Sequence, residues 1–356
     1  MVLMNITIHE LFLTFLGMLV VVLLLIMVVL FYSFSQYREL LNLSKWSRII
    51  DTKLSEVIVF GKQQNGSDKA FAEVSSHPSF RELFLEKLVG SEKKFSGSAH
   101  EEIKDLFRTY HLEKEAFSKL SQKKAYLIAG GIQELTSMKV ESAVPKISAL
   151  LSHPSPAVYQ EAQYAMVAFK GFEGLRFLDT EAHKISDWQQ LRLLISVTAI
   201  PENCEQEVKG WLQSSNDSVI IFTLSLLRKF QMLSYYPSVW HLLSHPSSEV
   251  RIRAVQTLLA LENDQTMPAL AHSFSEQPVE VQLEILRVME ISRDQCLVGF
   301  LKRQLLEHPS SGIKIQAAEA LFTLGHQDYL KQMSQDPASS EELIQIIKHA
   351  LQEKIC

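Results

Sequence analysis

The stretch LLSHPSSEVRIRA, Leu242 to Ala254, places a histidine, a proline, three serines, an acid and two arginines within thirteen residues. Such a set could do chemistry: a histidine can act as a base towards a hydroxyl or ligate a metal, and arginines can hold an anion. The segment is not unique, however. LLSHPSPAVYQEAQYAMVAF begins at Leu150 and LLEHPSSGIKIQAAEALFTLG at Leu305. His153, His245 and His308 therefore fall in separate copies of one pattern, too far apart to share one metal. No HExxH, GxSxG, phosphate-loop or paired-carboxylate signature occurs anywhere, so no catalytic residue, metal ligand or cofactor is assigned. Cys204, Cys296 and Cys356 are scattered, with no CxxC or Cys/His spacing, so neither a zinc site nor a disulfide framework is suggested. The terminal KIC lacks the cysteine position of a prenylation box.

The copies explain the motif. Weaker versions start at Leu212, Ser273 and Lys184, and the turn anchors fall near positions 153, 187, 216, 245, 277 and 308. A period of about 30 residues is the mark of a solenoid of stacked units. Each unit has an apolar first helix ending in paired leucines, a turn rich in Pro, Ser, Asn and Asp, and a second helix studded with alanine and leucine. Proline stops the first helix because it lacks an amide hydrogen and restricts its predecessor. Ser155, Ser247 or Ser310 is expected to cap the second helix through its hydroxyl, with Glu249 favouring the macrodipole. The imidazoles are expected to bond carbonyls at the preceding helix end. No strand-like alternation occurs in 140–356. Upstream, 78–90, 99–112 and 114–138 read as helices of a cap, and Gly130-Gly131 as a place of close helix packing.

Ahead of the helices stands LFLTFLGMLVVVLLLIMVVLFYSF, Leu11 to Phe34, with no charge in 24 residues. A helix of that length rises about 36 Å, enough to cross a bilayer core. The absence of a basic start and of a small-residue cleavage site favours an uncleaved anchor over a signal peptide. Arg38, Lys45, Arg48 and Lys53 follow the span and none precedes it, so the N-terminus is expected outside and the remainder in the cytoplasm. Tyr32, Tyr37, Arg38, Lys45, Trp46 and Arg48 are the expected membrane-interface residues. The segment 36–60 has mostly helical apolar spacing and could lie on the inner leaflet, continue the anchor or pair with a partner; Gly61 to Lys69 reads as a linker.

The reading is all-α: a single N-terminal transmembrane helix, then a solenoid of about six to seven helix pairs. Its divisions are 1–35 (tail and span), 36–69 (juxtamembrane segment and linker), 70–138 (cap) and 139–356 (repeats). A net charge of -5, 47% hydrophobic and 21% charged residues suit a globular chain and give no pull towards nucleic acid.

Glu249, Val250, Arg251 and Ala254 match the Asp/Glu-x-Val-Arg-x-x-Ala start of a HEAT-repeat second helix, which this architecture resembles. The other copies keep the apolar residue and lose the arginine. Over nearly its whole length, the chain resembles a family of membrane-anchored HEAT-repeat proteins from Bacteroidota. LFRTYHLEKEAFSKLSQKKAYLIAGGIQELTSM and AVPKISALLSHPSPAVYQEAQYAMVAFKGFEGLRFLD carry that resemblance. It implies a bacterial inner-membrane protein, and a partner such as a glycosyltransferase or another component of envelope polysaccharide assembly. The expected function is a non-catalytic scaffold that binds a membrane-associated protein, with Arg251, Arg253, Glu161, Glu280, Glu284 and Glu319 as candidate contacts. The alternatives are a HEAT-like lyase or chromophore-handling enzyme, which needs a convergent polar pocket, and a nucleic-acid-binding solenoid, which needs a basic stripe.

Overall fold

A computed structural model describes residues 8–60, 69–95 and 97–351. The N-terminal tail, most of the expected linker and Cys356 lie outside them. Among the described residues every regular element is a helix. The chain divides into two compact units, Met1–Ala165 and Met166–Cys356.

The first unit begins with α1 (Ile8–Phe60), one unbroken helix of 53 residues. At 1.5 Å per residue it is about 80 Å long. Its two halves live in different surroundings. In the apolar half no residue of the most hydrophobic window is buried against protein. The second half packs on α3 (Pro78–Glu92) and α4 (Ser98–Thr109), and Ile50 and Leu54 are buried there. The segment 36–60 thus continues the long apolar helix, one of the three outcomes left open by its spacing. Each such aliphatic burial stabilises by about 1.5–3 kcal/mol. Trp46 meets Phe80 edge-on at 6.1 Å, and Lys87 reaches Asp51 at 2.8 Å. The short α2 (Lys69–Val74) adds Phe71 to a cluster with Phe84 and Tyr110, ring centroids 5.0–5.5 Å apart.

The stretch 114–138 forms two helices, α5 (Glu113–Leu120) and α6 (Ala125–Ser137). Gly131 is the point of close packing between them: a Cβ there would come within 2.8 Å of the Lys119 Cβ and 2.9 Å of the Ala116 carbonyl oxygen. Gly130 faces open space, so only the second glycine of the pair is required by packing. Arg81 forms a two-bonded ion pair with Glu115 and donates to the carbonyls of Tyr110 (2.9 Å) and His111 (3.1 Å). It thereby closes a turn in which His111 adopts a left-handed φ of 50°. The unit continues through α7 (Val144–Ser148), and the division between units falls within α8 (Pro156–Lys170).

In the second unit, second helices α9 (Asp187–Ser196), α11 (Asp217–Lys229), α13 (Ser248–Ala260), α15 (Val279–Ser292), α17 (Ser311–Thr323) and α19 (Glu341–Leu351) form a row. Each packs on the next. First helices α10 (Glu205–Leu212), α12 (Tyr236–His241), α14 (Thr266–Ser273), α16 (Val298–Glu307) and α18 (Gln327–Gln335) each pack on the second helix that follows. This is the plan of a HEAT-like helical repeat. Small buried residues, Ala254, Ala317, Ala318 and Ala320, permit the close approach.

Before α9 the place of a first helix is taken by a nine-residue 3-10 helix, Gly171–Asp179. Its length is unusual for that geometry. It is pinned by the Trp211 indole, which donates to Asp179 Oδ1 at 2.6 Å, and by Phe172 packed against the Trp211 ring. Gly174 is obligatory, because a Cβ there would collide with the Met166 carbonyl group.

The His-Pro-Ser turns work differently from the expectation. Ser247 and Ser310 stand at the helix starts but make no side-chain capping bond. Instead each histidine Nδ1 accepts the backbone N–H of the serine two residues on: His153 from Ser155 at 3.0 Å, His245 from Ser247 at 3.2 Å, His308 from Ser310 at 3.1 Å. The imidazole therefore bonds an amide rather than the carbonyls of the preceding helix. The reason is geometric: a ring nitrogen facing two residues forward makes the turn that aspartate or asparagine usually makes. Ser214 takes this part towards Asn216 and Asp336 towards Ala338, and between pairs Asn263 and Asp294 do the same for Gln265 and Cys296.

Candidate partner-binding face

The helix-start residues Ser186, Asn216, Ser247, Pro278 and Ser310 set a common register for the second helices. Counting two, five and nine residues onward gives Trp188, Leu191 and Ile195 on α9. On α15 the same count gives Glu280, Leu283 and Arg287, and on α17 Gly312, Ile315 and Glu319. These positions share one side of the row, and its chemistry changes along it.

At α9 the side is apolar and open. Trp188 is 69% exposed, Leu191 46% and Ile195 66%, whereas Leu193 and even Gln189 are buried. The far end of α9 is held by Lys229 of α11, whose Nζ donates to the carbonyls of Leu194 (2.7 Å) and Val197 (2.6 Å). A cation on terminal carbonyls complements the helix dipole. α11 itself carries Ser218, Ile221 and Ser225 at the matching positions, with the first two buried.

From α13 onward the side is polar and cross-linked. Arg253 donates to Gln256 (3.2 Å), Gln256 to Glu284 on α15 (2.8 Å), and Arg287 approaches the other Glu284 oxygen at 3.4 Å. Glu290 accepts from Gln316 (2.9 Å) and Thr323 (2.8 Å) on α17. Arg287, Ile291, Glu319 and these groups line an open groove between α15 and α17.

The structure brings Arg253, Glu284 and Glu319 to this side, with Glu280 exposed at the start of α15. Arg251 is used elsewhere. Its guanidinium donates to the His245 carbonyl and to Gln277 Oε1 (3.3 Å), linking two successive turns. Glu161 is half-buried on α8. Sequence reasoning passes over Trp188, Leu191 and Ile195. Their i, i+3, i+7 spacing is that of a core stripe, and the burial of Leu193 and Gln189 on the opposite side shows the helix to be turned around.

Among the expected membrane-interface residues, Tyr32, Tyr37, Arg38, Lys45 and Arg48 are exposed along α1. Trp46 is half-buried, with its ring 4.9 Å from that of His77. Arg38 lies 5.7 Å from the Phe34 ring centre, a cation–π arrangement.

The two described cysteines have raised thiol pKa values for different reasons. Burial raises Cys204. The exposed Cys296 donates to Asp294 at 2.9 Å, and this bond to a carboxylate pushes its thiol up to about 11. Neither is poised as a thiolate nucleophile. No group of three or more His, Cys, Asp or Glu side chains suited to a metal occurs among the described residues.

No family model matches the chain, and no curated protein matches it. Solved structures do. An engineered protein is 15% identical over 79% of this chain and 87% of its own, with a TM-score of 0.34. Human deoxyhypusine hydroxylase is 16% identical over 77% and 96%, with a TM-score of 0.28. The CpcE–CpcF complex of phycocyanin lyase from Nostoc sp. PCC7120 is 15% identical over 78% and 91%, with a TM-score of 0.25. The expectation of a chain without catalysis is corrected by these neighbours: two of the three are named as enzymes.

Proposed function

We propose that the chain is a membrane-anchored adaptor that binds a protein partner along the exposed side of its second helices. The exposed Trp188–Leu191–Ile195 stripe carries this reading. An open apolar patch beside polar residues is typical of interaction sites, and tryptophan is prominent among residues that dominate binding. The graded surface, apolar at α9 and charged at α15 and α17, suits a partner segment with an apolar anchor and a polar continuation. The unburied, uncharged run within α1 supports the anchor. Confinement to a membrane raises the effective concentration of a membrane-associated partner.

The basic residues after the span support an N-terminus outside and repeats in the cytoplasm. A reporter active only in the cytoplasm, fused to the C-terminus, should work, and a periplasm-only reporter should stay silent. The resemblance to the Bacteroidota family makes a glycosyltransferase or another envelope polysaccharide component the first partner to seek. Affinity capture of the solubilised full chain should recover one membrane-associated protein in stoichiometric amount. The Trp188→Ser/Ile195→Ser double variant should lose that protein with an unchanged melting midpoint. Equal capture by the variant would sink the reading.

A further inference from the structure

Where the apolar run of α1 ends, a groove opens between α1 and the start of α3. Phe31, Phe34, Arg38, Glu39, Trp46 and His77 are among its walls. Resting on the membrane anchor proposed above, we infer that this groove binds a phospholipid whose headgroup carries both a phosphate and an ammonium, as in phosphatidylethanolamine.

Position supplies the first argument. Phe31 and Phe34 belong to the uncharged run, and Arg38 lies one helical turn beyond Phe34, about 6 Å along the axis. One groove therefore runs from the hydrocarbon edge into the headgroup layer. A soluble anion would use only its outer part, whereas a lipid uses both. Aromatic residues enforce the shape. The Trp46 ring, 4.9 Å from His77 and 6.1 Å from Phe80, spaces α1 from the start of α3. Arg38, 5.7 Å from the Phe34 ring centre, has its charge held at the boundary. An aromatic ring with a polar edge is suited to that layer.

Charge supplies the second. Arg38 and Glu39 line the same groove with opposite signs. A guanidinium suits a phosphate, and a carboxylate suits a primary ammonium. A purely anionic headgroup would satisfy Arg38 and be repelled by Glu39. A headgroup with both charges satisfies the pair.

The full chain is purified in detergent and returned to vesicles of phosphatidylethanolamine and phosphatidylglycerol. Failure to float with them overturns the anchor and this site together. Once flotation is seen, native mass spectrometry with each lipid reads the site alone. Phosphatidylethanolamine should be held about tenfold more tightly than phosphatidylglycerol. Arg38→Ala should weaken retention of both lipids, and Glu39→Gln should remove only the preference. Arg108→Ala, on α4 and outside the groove, should change neither. Equal retention of the two lipids by the unaltered chain, or a preference that survives Glu39→Gln, overturns the assignment. Retention of soluble phosphoethanolamine as strong as that of the lipid would overturn it as well.

Discussion

α9 and α15 occupy equivalent places in the repeat row and present opposite surfaces. At the same count from the helix start, α9 shows Trp188 and Ile195 to solvent while α15 shows Glu280 and Arg287. Yet the inward sides agree: Leu193 on α9 and Ile285 on α15 are fully buried. The repeat therefore fixes which positions face inward and leaves the outward chemistry free. Stability and recognition are separable along the row, and variants of α9 and its neighbours can test that separation.

The largest expected effect is on the inward side. Leu193→Ala should cost about 2–5 kcal/mol in chemical denaturation, the usual cost of emptying a buried leucine site. A cost below about 1 kcal/mol would mean that α9 is not held as part of the row. Next comes the outward side. Trp188→Ala should weaken partner binding by about 2 kcal/mol or more in a titration with the captured partner. Its unfolding free energy should stay within about 0.5 kcal/mol. If stability falls instead, α9 is buried by something within the folded chain and the two sides are not separable.

A smaller effect is expected at the turns that keep both helices in register. His245→Ala removes the acceptor for the Ser247 amide and should cost about 1 kcal/mol. His245→Asn should recover most of that, because the asparagine oxygen can accept from the same amide. Equal losses in both variants would show that ring packing, not the hydrogen bond, matters. The smallest effect belongs to the polar end. Arg287→Ala breaks an exposed contact to Glu284 and should change stability by only about 0.3 kcal/mol. If it matters more for partner binding than Trp188→Ala, the apolar end is not the dominant contact and the comparison reverses.

Much of this was legible in residues and spacing. The recurrence of Leu-Leu, His-Pro-Ser and an alanine-rich helix gave the period. That recurrence also reduced His153, His245 and His308 from candidate ligands to turn formers, since identical elements at a fixed interval serve a repeated backbone need. The bonds they make were less legible, because a histidine can face the amide ahead or the carbonyls behind and both keep the same sequence. Arg251 illustrates the same limit. Its place in a HEAT-like motif was clear, but the reach of its side chain to Gln277 depends on how two turns come together. The Gly171–Asp179 segment shows the same limit: GFEGLRFLD has two glycines that disfavour an α-helix, and its 3-10 form packed against Trp211 is visible only in the structure.

The uncharged run, the helical class and the repeat period are all written in the order of the residues. They rest on local rules: hydrophobicity over a fixed length, proline and small polar residues at stops, and a recurrence that needs no partner to be seen. Packing was needed to settle which stripe of α9 is covered, that 36–60 continues the long apolar helix, and that Arg38 and Glu39 share a groove with His77. Each depends on residues distant in sequence meeting across helices. A helix with apolar residues on two sides can bury either one, and only its neighbours select between them.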